Sequence, residues 1–100
     1  VMIRHVVMWK LEGENRHERL TRAEDLAADL TALTGVVPGL LEAEACPDAS
    51  GLDANWDLVL ISDFPDQEAL DAYQEHPAHL AVAGRIKASA TDRACVDFTL

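Results

Sequence analysis

The chain has 100 residues, 49% of them hydrophobic, and a formal net charge of −10. That length and composition describe one small globular domain, residues 1–100, rather than a disordered tail. The acidic balance argues against a nucleic-acid partner, which needs clustered Lys and Arg against phosphates. No apolar stretch reaches the roughly 18–20 residues of a membrane span, so no membrane is expected.

Met2 to Lys10 alternates as a strand with Ile3, His5, Val7 and Trp9 on one face and Met2, Arg4, Val6, Met8 and Lys10 on the other. Both faces carry large apolar groups, so the strand expects cover on both sides. Arg4 and His5 interrupt what would have to be the apolar stretch of a signal peptide. Gly13 and Asn15 mark a turn, with Asn15 as N-cap. Arg16 to Leu33 has helical periodicity, placing Leu20, Ala23, Ala27, Leu30 and Thr34 on one stripe with Leu26 and Leu33 at its edge. His17 falls near the start of this helix and is read as solvated. Gly35 ends the segment and Pro38-Gly39 makes a turn.

Leu40 to Cys46 alternates Leu41, Ala43 and Ala45 against Glu42 and Glu44, the pattern of a half-exposed edge strand. A loop at residues 47–54 follows. Trp56 to Phe64 is a strong strand, with Trp56, Leu58, Leu60, Ser62 and Phe64 opposed to Val59 and Ile61. Asp66 caps a helix over Gln67 to Glu75, Pro77 breaks or restarts it, and a third helical segment runs from Ala78 to Ala88. Arg93 to Leu100 is the last strand. The order β-α-β-β-α-β predicts an α+β, ferredoxin-like fold with a four-stranded antiparallel sheet covered by helices on one side. Val6, Met8, Val59 and Ile61 are then left bare on the other side. A second sheet packed there would give a symmetric homodimer.

Chemistry-bearing residues are few. Tyr73, His76 and His79 are spaced three apart, close to one helical face apart from the disturbance at Pro77. Imidazole near neutral pH and a protonated phenol can divide proton transfer between them. The plainer reading is that His76 ends the helix and His79 packs beneath the next one. His5, mid-strand, is either a hydrogen-bonded core residue or part of the same group. Glu75, His76 and His79 lack the spacing of a zinc motif, and no nucleotide-binding or nucleophile-elbow motif occurs, so neither a metal nor a cofactor is expected. The pairs Glu42/Glu44 and Asp57/Asp63 read as wet faces or sheet edges. Cys46 and Cys95 read as small, partly buried thiols of a reducing, cytoplasmic compartment.

The segments Ile3-Arg-His-Val-Val-Met-Trp-Lys10, Val37-Pro-Gly39, Asp57-Leu-Val-Leu-Ile-Ser-Asp-Phe64, Ala69-Leu-Asp-Ala-Tyr-Gln-Glu-His-Pro-Ala-His79 and Arg93-Ala-Cys-Val-Asp-Phe98 together resemble the stress-responsive dimeric A/B barrel (Dabb) family. The resemblance spans residues 2–98. It implies a ferredoxin-like subunit whose sheet joins a second one in a dimeric barrel. The family is functionally diverse. By likeness to a plant polyketide cyclase within it, Tyr73 and His79 are implied as acid–base residues and His5 and His76 as further site residues. The same likeness implies a pocket wall at Val7, Trp9, Leu26, Ala27, Leu30, Leu58, Leu60, Ser62 and Val82. The first-helix wall positions are Leu and Ala here where the cyclase is aromatic, and Trp9 stands where it has a smaller residue, so any substrate must differ. Three functions stay open: binding of a small apolar or phenolic ligand without catalysis, cyclase-like or isomerase-like acid–base chemistry, and cofactorless oxygenation.

Overall fold

The computed structural model describes residues 1–100. Alternation produces β1 (Ile3–Leu11), whose odd-numbered residues are all buried while the even-numbered ones remain half-buried or exposed. Asn15 then caps α1 (Arg16–Thr31), its side chain accepting the Glu18 backbone N–H at 3.0 Å. The helix presents Ala23, Leu26, Ala27 and Leu30 to the sheet. It stops two residues before the expected Leu33, in a run of turns that contains Gly35 at φ +84°. Leu33 stays buried within those turns, whereas Thr34, expected on the apolar stripe, points to solvent because the helical phase is lost before it.

A second left-handed turn residue, Gly39 at φ +87°, leads into β2 (Glu42–Pro47). β3 spans Leu58–Phe64, and Asp66 caps α2 (Gln67–Glu75) by accepting the Ala69 N–H at 2.9 Å. His76 then adopts extended geometry, φ −65° and ψ 135°, and Pro77 opens α3 (Pro77–Ser89) as its first residue. Proline restarts rather than breaks the helix here, because the first helical N–H has no intrahelical partner to lose. The chain passes without a loop into β4 (Ala90–Thr99), three residues earlier than the expected Arg93.

The sheet order is β2-β3-β1-β4, antiparallel throughout, which is the ferredoxin-like arrangement expected. The register places Val6 between Ile61 and Val96, and Met8 between Val59 and Ala94. These side chains make an apolar stripe on the sheet face opposite the helices, and Phe98 and Val96 extend it at 44% and 63% exposure. At its margin Arg4 forks onto Asp63 at 2.8 and 3.0 Å. That pair holds the Asp63 carboxyl below the usual range, chiefly through the hydrogen bond, so Asp63 is a buried salt-bridge partner, not the wet residue expected.

The inner face carries the core: Val7, Leu58, Leu60 and Phe64 from the sheet against Leu30 of α1, Leu70 and Tyr73 of α2, and Val82 and Ile86 of α3. The inner side of β4 is the exception. Arg93, Cys95 and Asp97 pair in register with the buried Trp9, Val7 and His5, yet all three are exposed. Both cysteines are therefore exposed rather than partly buried. Cys95 lies on this uncovered strip, and Cys46 lies on the edge strand β2 beside Val59. No helix is long and apolar enough to cross a membrane.

Candidate functional site

The uncovered strip of β4 and the facing side of α3 enclose a cavity of about 520 Å³, open at one side. Its floor is Val7, Trp9 and Leu60, with Leu30 from α1, while Ala83 and Ile86 of α3 close it from above. Trp9 forms part of the wall and does not fill the space. Two imidazoles, His5 and His79, face the cavity, with Gln74 beside them. Its mouth is polar, lined by Lys87, Thr91, Asp92 and Arg93.

Hydrogen bonds set the tautomer of each histidine near the site. His5, 3% exposed, places Nδ1 2.5 Å from Asp97 Oδ1. An ionised carboxylate only accepts, so Nδ1 carries the proton and Nε2 keeps its lone pair. His79 Nδ1 lies 3.1 Å from the Gln74 carbonyl, which again only accepts, so its Nε2 is also unprotonated in the neutral ring. Burial lowers the His79 pKa, reinforced by the charges of His5, Arg93 and His76 and opposed by the Gln74 hydrogen bond. His76 has the opposite tautomer: its Nδ1 accepts the Ala78 N–H at 3.0 Å and caps α3.

Tyr73 is packed between Phe64 and His79, with ring centroids 5.0 and 4.4 Å away. Burial pushes its phenol up to about 12, so the group is a proton donor across the neutral range. It touches the His79 ring from behind and is not part of the cavity lining.

Of the wall expected from sequence, His5, Val7, Trp9, Leu30, Leu60 and His79 meet around the cavity. Leu26, Ala27, Leu58 and Val82 are buried in the core and do not line the cavity. Ser62 is buried and its hydroxyl turns to the His5 carbonyl at 3.4 Å. Sequence reasoning missed the polar mouth and the Asp97 partner of His5. The alternation of Cys95, Asp97 and Thr99 carried a signal, since antiparallel pairing of the first and last strands would set one of them beside His5.

His5, Cys95 and Asp97 are also the residues that could hold a metal ion, their donor atoms lying within 4.8 Å of one another. Cys95 Sγ is 3.6 Å from both His5 Nδ1 and Asp97 Oδ1. An ion there would have to displace the proton shared by His5 and Asp97. It would also have to ionise a thiol that burial and the Asp97 charge both push up.

The sequence matches the family model of the stress responsive A/B barrel domain over residues 3–100. No curated protein matches it significantly. Among solved structures, a dimeric protein of unknown function and ferredoxin-like fold from Bacteroides fragilis superposes with a TM-score of 0.88 at 24% identity, covering 99% of this chain and 96% of that one. A dimeric ferredoxin-like protein of unknown function from Jannaschia sp. gives a TM-score of 0.80 at 29% identity, with 100% of both chains covered. The fold is also that of the hydroxynitrile lyase from Passiflora edulis, at a TM-score of 0.79 and 14% identity, covering 99% of this chain and 93% of the lyase.

Proposed function

The chain belongs to the stress-responsive A/B barrel domain family, and from that premise we propose that it binds a small, largely apolar molecule in the cavity between α3 and the β1–β4 side of the sheet. The observation that carries this reading is the cavity itself: about 520 Å³ with a floor of Val7, Trp9, Leu30 and Leu60. An apolar floor with few convergent polar groups is the usual composition of a small-molecule site. A second copy of the chain packs on the outer sheet face, over Val6, Met8, Val59 and Ile61. The apolar character of that face supports this, as does the dimeric state of the Bacteroides and Jannaschia proteins.

Titration with 2-naphthol, followed by amide and methyl NMR shifts, tests the pocket. Shifts should centre on Val7, Trp9, Leu60 and Ala83 and vanish in Ala83→Trp, which fills the space. Shifts scattered elsewhere, or unchanged in that variant, refute the reading.

A second reading, proton transfer on a bound carbonyl compound, is favoured by the His5–Asp97 pair. With Nδ1 committed to Asp97, the neutral His5 ring offers Nε2 as an acceptor, and His79 Nε2 is a second acceptor on the same wall. Tyr73 supports the His79 ring. A panel of poly-β-keto thioesters with the unmodified protein, His5→Ala, His79→Ala and Tyr73→Phe decides it. Loss of His5 should cost about 10²–10⁴ in rate, and equal product from all four proteins removes this reading.

A further inference from the structure

The polar mouth of the cavity has a charge pattern unlike the rest of the chain. The molecule as a whole is strongly acidic, at net −10. Four of the eight Lys and Arg side chains, Arg4, Arg19, Arg22 and Arg85, are held in ion pairs with Asp or Glu. Lys10, Arg16, Lys87 and Arg93 are in none, and of these only Lys87 and Arg93 line the cavity, at its mouth and from opposite sides, one on α3 and one on β4. Arg93 pairs in register with Trp9, so it stands on the helix-facing side of the sheet, directly over the apolar floor. Its charge is felt by both His79 and Cys95, which places its exposed head near the cavity. Asp92 is the one acid of the lining, and its carboxylate is turned back to accept the Arg93 backbone N–H at 2.9 Å. Asp97, next along the inner face, is committed to His5. The charged lining side chains thus leave one net positive charge, with two cationic heads lacking a carboxylate in a chain that has 18 of them.

We propose that the ligand of this cavity is a small monocarboxylate with an apolar body, its carboxylate held by Arg93 and Lys87 at the mouth and its body lying on Trp9, Val7 and Leu60. The guanidinium fork of Arg93 matches the planar carboxylate, and Lys87 adds a point charge from the other side. One net positive charge suits a monoanion and not a phosphate ester. This rests on the reading of the cavity as a binding pocket and adds the class of molecule it takes.

The test compares 2-naphthoate with its neutral counterpart 2-naphthamide by titration calorimetry at pH 7 and low salt. The carboxylate should bind about tenfold tighter, a difference of about 1.4 kcal/mol. The double variant Arg93→Gln/Lys87→Gln should erase that preference, so that the carboxylate and the amide bind alike. Both side chains are exposed, so the variant keeps the fold, which circular dichroism checks. Amide binding without preference for the carboxylate, or a preference that survives the double variant, overturns this inference and leaves the pocket reading standing. Binding of neither probe overturns both.

Discussion

His5 and Asp97 are Cα partners in the β1–β4 ladder, and their side chains meet at 2.5 Å, Nδ1 to Oδ1, across 92 residues of sequence. One end of the contact is buried and the other is 38% exposed. A buried imidazole is thereby anchored from the solvent side, with its second nitrogen left for the cavity.

That contact fixes the tautomer. Nitrogen-detected NMR should show the neutral His5 ring with its proton on Nδ1, and the neutral His76 ring with the reverse assignment. Asp97→Ala should abolish the His5 preference, leave His76 untouched, and lower stability to urea by about 1.5–3 kcal/mol, the range for a hydrogen bond to a charged group. An unchanged His5 spectrum in Asp97→Ala would contradict the pairing.

Tyr73 is the only tyrosine of the chain, so alkaline difference absorbance reads it alone. Burial raises its pKa to about 12, well above the 10.0 of an ordinary tyrosine. The sign follows from linkage: the folded value is raised, so the stabilisation is complete below pH 10 and is lost as the pH climbs from 10 toward 12. The titration should be late and steep, coinciding with unfolding. A smooth midpoint near 10 in folded protein would show the phenol to be exposed.

His79 acts at the other end of the scale. Its folded pKa lies below 6.5, lowered mainly by burial and further by His5, Arg93 and His76. Between the folded and unfolded values the unfolded chain binds more protons, so stability present above 6.5 is lost as the pH falls below it. Asp63, depressed by Arg4, loses its contribution only at more acidic pH, below the 3.8 of an ordinary aspartate. Urea midpoints measured between pH 7 and 5 should therefore fall, and His79→Gln should flatten that part of the profile. A wild-type slope retained in His79→Gln would assign it to other groups.

Val59 sits opposite Met8 and Cys46 at the centre of the bare sheet face. Val59→Asp would bury an unpaired charge in a face-to-face dimer, at a cost on the order of several kcal/mol. Light scattering after size exclusion should give a dimer for the unmodified protein and a folded monomer for the variant. A monomeric unmodified protein at micromolar concentration would remove the dimer.

Gly39 is held at φ +87°, and a Cβ there would come within 3.0 Å of Ala69 Cβ. Gly39→Ala should cost about 1–2 kcal/mol from left-handed strain alone, with a further penalty from the close approach. Gly35, at φ +84° with open space around it, isolates the first term. Equal stability losses for the two alanine variants would show that Ala69 yields without cost.

The order of elements, the caps at Asn15 and Asp66, the restart at Pro77 and the two-faced alternation of Ile3–Leu11 were all legible in the sequence. Each depends on residues close together along the chain, and the periods of 2 and 3.6 record directly which side is buried. The same locality explains what was not legible. Leu26 and Leu30 are one helical turn apart and equally apolar, yet only Leu30 reaches the cavity, a choice set by where each turn of α1 packs and not by its local pattern. Lys87, Arg93 and Asp97 look like ordinary surface charges until the β1–β4 register and the lie of α3 bring them to one mouth. Sequence patterning therefore determined the layers and the sheet. Which side chains share the site was decided by strand register and helix placement, which arise from long-range packing that no local period encodes.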